Sequence, residues 1–358
     1  MKPRKILTLV IVLLLIGAGI YYLESSKPGR EAATSVTELT PRDMPMNEKD
    51  QKFEKAKEIV NPSGFINTDP LKLQDLVGKQ VIMVDFWTYS CINCQRTLPY
   101  LNAWHEKYHD RGLTIIGIHT PEFEFEQLPE NVQTAVDKYN IKYPVVLDND
   151  YATWKAYGNR YWPRKYLVDI DGYIVYDHIG EGAYEETEQK IQELLEERAQ
   201  HLGTSESIIR DFAQPSGATT RSADVGSPEV YFGSLRNELL SNGTPGTRGT
   251  QTFTAPEKTP LNQLFLVGQW DIQPEYAENT SSPASIIFRY QAKEVYMVAS
   301  SEKPVTVSIK QDGKLLDQEI TVQQDGLYTL VQNPTAGEHT LELIVESPGL
   351  KAFTFTFG

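Results

Sequence analysis

Apolar and polar positions follow two different periods along this chain, and the change falls past its middle. Between residues 59 and 203, short apolar runs alternate with stretches whose apolar residues lie three and four apart. The runs 81–87 (VIMVDFW), 113–119 (LTIIGIH) and 144–148 (PVVLD) have the length and content of strands covered on both faces. Helical spacing marks 94–109, 132–139 and 185–202, the last a charged amphipathic helix. Residues 164–178 read as a strand pair around Asp171-Gly172. Buried strands alternating with helices predict a layered α/β domain.

Beyond 204–227, a stretch rich in Ser, Thr, Gly, Ala and Asp that reads as a linker, the period falls to two. Eight short strands are predicted, at 265–272, 284–291, 294–300, 304–310, 315–322, 327–331, 338–345 and 351–357. Asp312-Gly313 and Asp325-Gly326 mark turns between them. Short strands without a helix predict an all-β sandwich of jelly-roll type over 228–358.

The N-terminal end has a third pattern. Lys2, Arg4 and Lys5 precede an uncharged run from Ile6 to Leu23, about 27 Å as a helix and close to a bilayer's hydrocarbon thickness. Basic residues on the N-terminal side predict that the rest of the chain is exported. The run ends in Tyr21-Tyr22-Leu23-Glu24 rather than small residues, so 1–23 reads as an uncleaved single-pass anchor in the cell membrane; a cleaved signal is the rival. Residues 24–58 are polar and read as a spacer between membrane and fold, placing both domains outside the cytoplasm.

Composition narrows the partners. The 358 residues carry 34 Lys and Arg against 48 Asp and Glu, a net charge of −14. That balance argues against nucleic acid and against a polybasic grip on lipid. Only two cysteines are present, which excludes a disulfide-stapled scaffold and any four-cysteine metal site.

Those two cysteines lie three apart, in Ser90-Cys91-Ile92-Asn93-Cys94, between a predicted strand and a predicted helix. A helix N-terminus presents free N–H groups and partial positive charge, which stabilise a thiolate at Cys91. Cys94, one turn on, can attack a mixed disulfide formed on Cys91. His105 and His109 complete a zinc-finger-like spacing with the pair, but on one helix His105 is about 16 Å from Cys94, too far for a shared ion. No metal and no cofactor beyond the dithiol is expected. Alternation places Met83, Asp85 and Trp87 on one strand face, where a desolvated Asp85 carboxyl could exchange a proton with Cys94; a local cap is the alternative. Pro163, before the strand KYLVD, reads equally as a cis or a plain edge-strand proline.

DFWTYSCINCQ, GIHTPEFEFE, YPVVLDNDYATWKAYGNRYWPRKYLVD and AFTFTFG together resemble the membrane-anchored TlpA-like thiol–disulfide oxidoreductases, and in particular the exported part of DipZ-type proteins. There a thioredoxin-like domain precedes a β-sandwich similar to carbohydrate-binding modules. The resemblance implies Cys91 as the attacking and Cys94 as the resolving cysteine, Asp85 as the buried acid and Pro163 as the cis-proline facing them. It assigns the Trp162 backbone to the substrate chain. Trp87, Tyr89 and Ser90, leading into the motif, are expected to line the same site. The motif holds Ile92-Asn93 instead of Gly-Pro, and Thr97 stands where many of these proteins have a glutamate. Glu122, at the sheet edge where the Cys91 strand also ends, is a candidate second acid and substrate contact.

The expected activity is dithiol–disulfide exchange outside the cytoplasm, reducing disulfide-bonded exported proteins. A separate membrane thiol reductant would serve as electron donor, since DipZ-type proteins carry a multi-span electron-delivering domain that is not found in this sequence. The rival activity is a thiol peroxidase, an antioxidant in which the Thr88 hydroxyl would orient peroxide at Cys91. For the sandwich, Trp270, Tyr276, Tyr290 and Tyr296 are candidates for stacking on cell-wall glycan; docking of a partner protein is the other possibility.

Overall fold

The computed structural model describes residues 48–205, 207–219, 222 and 224–358. The predicted anchor over 1–23 and most of the spacer lie outside the described residues. Among the described residues, no helix is long and apolar enough to cross a membrane.

The α/β part is a six-stranded sheet. Its strands are β1 Gly64–Ile66, β2 Val81–Trp87, β3 Leu113–His119, β4 Val145–Leu147, β5 Arg164–Val168 and β6 Ile174–Ile179, in the order β1-β4-β3-β2-β5-β6. The pairs β2–β3 and β3–β4 are parallel, while β1, β5 and β6 join antiparallel. Helices α1 Ile92–Tyr108, α2 Pro129–Lys138, α3 Ala152–Ala156 and α4 Tyr184–Leu202 complete it. Strands β2 and β3 fall where the apolar runs predicted them. The short β1 and α3 carry too little periodicity to be read in advance.

Helix α1 contains Pro99, which removes one main-chain hydrogen bond at a cost of about 3 kcal/mol. Leu98, Leu101, Trp104 and Tyr108 are each almost fully buried along the same helix. At roughly 1.5–3 kcal/mol per large apolar side chain, their burial outweighs the proline.

Two segments expected to be unstructured are part of the fold. Within the predicted spacer, the Lys49 ammonium meets Asp169, Asp171 and Glu197 at 2.6–2.7 Å, and the Glu58 carboxylate accepts from the backbone N–H groups of Leu73 and Gln74. The Ala56 N–H also donates to the Gly172 carbonyl. Within the predicted linker, Ile208 and Ala213 pack on the α/β core. A low apolar content hid both, because ions and main-chain bonds attach the spacer and only two isolated apolar side chains seat the linker.

The C-terminal region is all antiparallel β, a nine-stranded sheet. Its strands are β7 Val230–Tyr231, β8 Gly249–Phe253, β9 Leu264–Ile272, β10 Ala277–Asn279, β11 Ala284–Ser300, β12 Val305–Gln311, β13 Lys314–Val322, β14 Gly326–Val345 and β15 Lys351–Phe357. Four predicted strands are halves of two long ones: 284–291 and 294–300 run on as β11, and 327–331 and 338–345 as β14. The polar breaks between them are absorbed as irregular register around Ala292 and Glu294, where residues 333–336 have no partner on β11. Pro334 sits in that gap, so its missing N–H costs no ladder bond. The first half of β11 pairs with β9 and the second half with β15, and β10 links β9 to β15. The strands thus close a circuit around a core containing Trp270, Phe288, Tyr290 and Phe355.

Residues Lys49–Gly358 form one unit, and the two regions share apolar contacts. Phe353 of β15 and Val298 of β11 belong to the α/β core cluster. The Phe353 ring lies 5.0 Å from both Phe123 and Phe125, in the loop after β3.

Candidate active site

Cys91 is the N-cap of α1, with extended backbone, and the first turn of the helix carries no acidic residue to offset its partial positive charge. Its half-buried sulfur lies 3.9 Å from the Trp162 carbonyl oxygen, toward which the thiol donates. The Trp162–Pro163 peptide is cis. Cys94 lies one turn inside the helix and is buried. Burial, and next the adjoining Cys91, push the Cys94 thiol well above the usual range. Both cysteines are free thiols. The arrangement has one accessible sulfur and one protected sulfur directly behind it.

Asp85, on β2, is 1% exposed, and neither carboxyl oxygen has a hydrogen-bond partner among the described residues. Burial pushes its pKa up to about 7, with Lys165 pulling the other way. A group titrating there can take a proton from one thiol and release it at neutral pH. Its neighbours in the sheet are Gly117 on β3 and Lys165 on β5.

Lys165 was not picked out from the sequence. It is fully buried, its ammonium donates to the Gly180 carbonyl at 3.1 Å, and burial lowers its pKa. Its signal was a lysine two residues after Pro163 at an inward position of a buried strand. The second buried acid is Glu126, not Glu122. Glu126 is fully buried and accepts from the Ser90 N–H and hydroxyl and from the N–H groups of Glu122 and Phe123. Glu122 is only half-buried and pairs with Arg236 at 2.7 Å while accepting from the Tyr231 hydroxyl. EFEFE offers three acids, and the turn of the loop alone decides which points inward.

Further expectations change with burial. Trp87 is fully buried and Ser90 is 1% exposed with its hydroxyl committed to Glu126, so neither is placed to touch a substrate. Tyr89 is nearly buried and stacks on His119. Thr88 is fully buried, and among the described residues its hydroxyl has no bond to Cys91, as a peroxide-orienting group would need. Of the four candidate glycan-stacking rings, Trp270 and Tyr290 are core residues, and Tyr296 is buried against Arg96 of α1. Tyr276 packs on Phe353. Strand alternation turned these rings inward or toward the α/β region, so they form no open platform.

Beside Cys91 lies a cleft of about 390 Å³ that both regions line. Cys91, Asn93, Arg160 and Trp162 face Tyr231 and Phe357 across it. Arg96, two residues after Cys94, secures that junction: its buried guanidinium meets Glu181 at 3.2 Å and Glu294 of β11 at 2.9 Å.

Comparison with known proteins gives this geometry a family. Residues 54–195 match the family described as Redoxin, and 227–358 the one described as Thioredoxin like C-terminal domain. The thiol-disulfide oxidoreductase ResA of Bacillus thuringiensis subsp. konkukian is 31% identical over 150 residues, 41% of this chain and 82% of that protein. The chain belongs to the thioredoxin-like thiol–disulfide oxidoreductases. Protein DipZ of Mycobacterium bovis is 36% identical over 311 residues, 85% of this chain and 43% of DipZ. The chain therefore spans less than half the length of that relative. A solved thiol-disulfide isomerase from Corynebacterium glutamicum is 22% identical and covers 39% of this chain and 96% of its own, with a TM-score of 0.35. Asp85 and Lys165 both act electrostatically on Cys94, and the carbonyl of the cis Trp162–Pro163 peptide faces Cys91.

Proposed function

We propose that the protein is a membrane-anchored, extracytoplasmic reductase of disulfides in exported proteins, working through Cys91 and Cys94. The observation that carries this reading is the pairing of a half-buried Cys91 sulfur at a cleft with a buried Cys94 that adjoins an unbonded carboxyl. The Cys91 thiolate attacks a substrate disulfide, and Cys94 then attacks Cys91 in the mixed disulfide while Asp85 receives the Cys94 proton. The substrate leaves with its thiols reduced, and the Cys91–Cys94 disulfide is recharged by a separate membrane thiol reductant. Residues 1–23 hold the enzyme at the membrane. The C-terminal region, read as a jelly-roll-like sandwich, forms the far wall of the cleft and so meets the substrate.

The test is a redox titration of the full chain in graded thiol buffers, reading the Cys91–Cys94 pair by thiol tagging. A potential below about −230 mV supports a reductase, and one near about −120 mV would make the protein an oxidant and overturn the direction. Cys91→Ser should abolish exchange, whereas Cys94→Ser should accumulate a mixed disulfide. Failure of the pair to form an intramolecular disulfide would sink the mechanism.

A further inference from the structure

Cys91 draws on the partial positive charge of α1 only while its main chain stays at the helix cap, so whatever fixes its neighbours governs how it reacts. One loop, residues 120–127 after β3, does this from two sides. The fully buried Glu126 accepts through one oxygen from the Ser90 N–H at 3.2 Å and the Ser90 hydroxyl at 2.6 Å. At the start of the loop, the Thr120 carbonyl accepts from the Trp162 indole N–H at 3.0 Å, and the Trp162 carbonyl is the group that faces the Cys91 sulfur. The loop therefore grips both the residue before Cys91 and the residue in front of it.

Glu126 also ties the loop to itself. Its second oxygen accepts from the N–H groups of Glu122 at 2.6 Å and Phe123 at 3.1 Å. A carboxylate can accept at both ends, which this position requires, whereas an amide would turn an NH2 toward one pair of donors.

The outer side of the loop belongs to the C-terminal region. Glu122 pairs with Arg236 at 2.7 Å and accepts from the Tyr231 hydroxyl. Phe123 and Phe125, both buried, each place a ring 5.0 Å from Phe353 of β15. Between them, the Glu124 N–H donates to the Glu275 carboxylate at 2.9 Å. The Asn131 amide, on α2, holds the Phe125 carbonyl at 2.9 Å and reaches Asp325 at 3.3 Å. Successive residues from Glu122 to Phe125 are thus held from the C-terminal side, and Glu126, the next, points the other way to Ser90.

We infer that loop 120–127 couples the C-terminal region to the nucleophile, with Glu126 as the positioning residue for Cys91. This rests on the exchange reading above, and it gives the C-terminal region a part in the reactivity of the cysteine besides walling the cleft. With the loop seated, Ser90 is held and Cys91 is presented at the cap of α1. With the loop released, Glu126 has no fixed base from which to hold Ser90. The Gln95 side chain on α1 donates to the Tyr89 carbonyl at 2.8 Å, a second hold on the same segment, so loss of Glu126 weakens Cys91 without abolishing its reaction.

The test uses the full chain carrying Cys94→Ser, which leaves Cys91 as its single thiol, and reads alkylation by iodoacetamide at pH 7. So small a reagent does not need the cleft wall. In Glu126→Gln the amide oxygen can serve the Glu122 and Phe123 N–H groups only by turning its NH2 against the Ser90 N–H; alkylation should slow by at least about threefold. Loss of a carboxylate charge could by itself only favour the thiolate, so slowing reports position and not charge. Phe353→Leu, which keeps an apolar side chain, and Glu275→Ala, which removes the acceptor of the Glu124 N–H, should each slow Cys91 by about twofold or more, and neither should add to Glu126→Gln. Glu188→Ala, which weakens the fold at the far end of α1, should leave the rate unchanged and so controls for general destabilisation. An unchanged or faster rate in Glu126→Gln would overturn the positioning role. Unchanged rates in both C-terminal variants, or effects that add to Glu126→Gln, would overturn the coupling. Failure of the unmodified protein to reduce a disulfide would instead overturn the function proposed above, whatever these rates.

Discussion

Two buried carboxylates lie against opposite ends of helix α1, and their surroundings differ completely. Glu188, near the helix's far end, accepts from the Trp104 indole, the Lys107 ammonium, the Tyr108 hydroxyl and the Ala213 N–H. Asp85, beneath the cysteines, has no hydrogen-bond partner for either oxygen among the described residues. Glu188 is a structural group, with its charge balanced and its oxygens engaged. Asp85 is left able to change its protonation, which a proton acceptor for Cys94 requires. The same fold thus satisfies a buried charge where it holds elements together and leaves one without partners beside the cysteine pair.

The strongest way to break this contrast is Glu188→Ala. Removing one side of a buried, hydrogen-bonded ion pair strips the Trp104 indole of its acceptor and leaves Lys107 and Tyr108 only the carbonyls of Asp211 and Ile209. The expected loss is about 3–5 kcal/mol in chemical denaturation, and exchange activity per folded molecule should be unaffected. A loss under about 1 kcal/mol would show that the hub is not structural.

Asp85→Asn should act in the opposite direction. An acid with a folded pKa near 7, against an ordinary value of 3.8, costs the fold nothing below about pH 4, where it is protonated in both states. The cost grows as pH rises from about 4 to 7, because only the unfolded chain ionises freely there, and is constant above. Neutralising the group should therefore stabilise the protein by about 4 kcal/mol at pH 8 and by well under about 1 kcal/mol at pH 4. The resolving step should slow together with that gain. Equal stabilisation at both pH values would deny Asp85 its raised pKa. Arg289→Ala sets the lower bound. Its ion pair with Glu338 is exposed on both sides, so the change should stay within about 0.5 kcal/mol and fade in salt.

The cysteine pair, its strand and its helix were legible because each signal is local. An apolar run of strand length, a helical spacing and a two-residue gap fix Cys91 at a helix start without reference to the rest of the chain. Asp85 was legible for the same reason: an acid in an otherwise apolar strand must be buried whatever covers it. Glu126 was not, because the loop after β3 has no periodicity to say which of three acids turns inward. The aromatic residues of the C-terminal region misled in the other direction, since strand alternation does not reveal which face is covered.

The sequence by itself determined the two structural classes, the cysteine pair at a helix start and the buried acid, all from patterns spanning fewer than about twenty residues. Only the tertiary structure decided that Lys165 and Gly117 flank Asp85, and that β15 packs its Phe353 into the other region's core. Those are meetings between residues far apart in the chain. They depend on strand register and on how the two regions dock, and no local period encodes either.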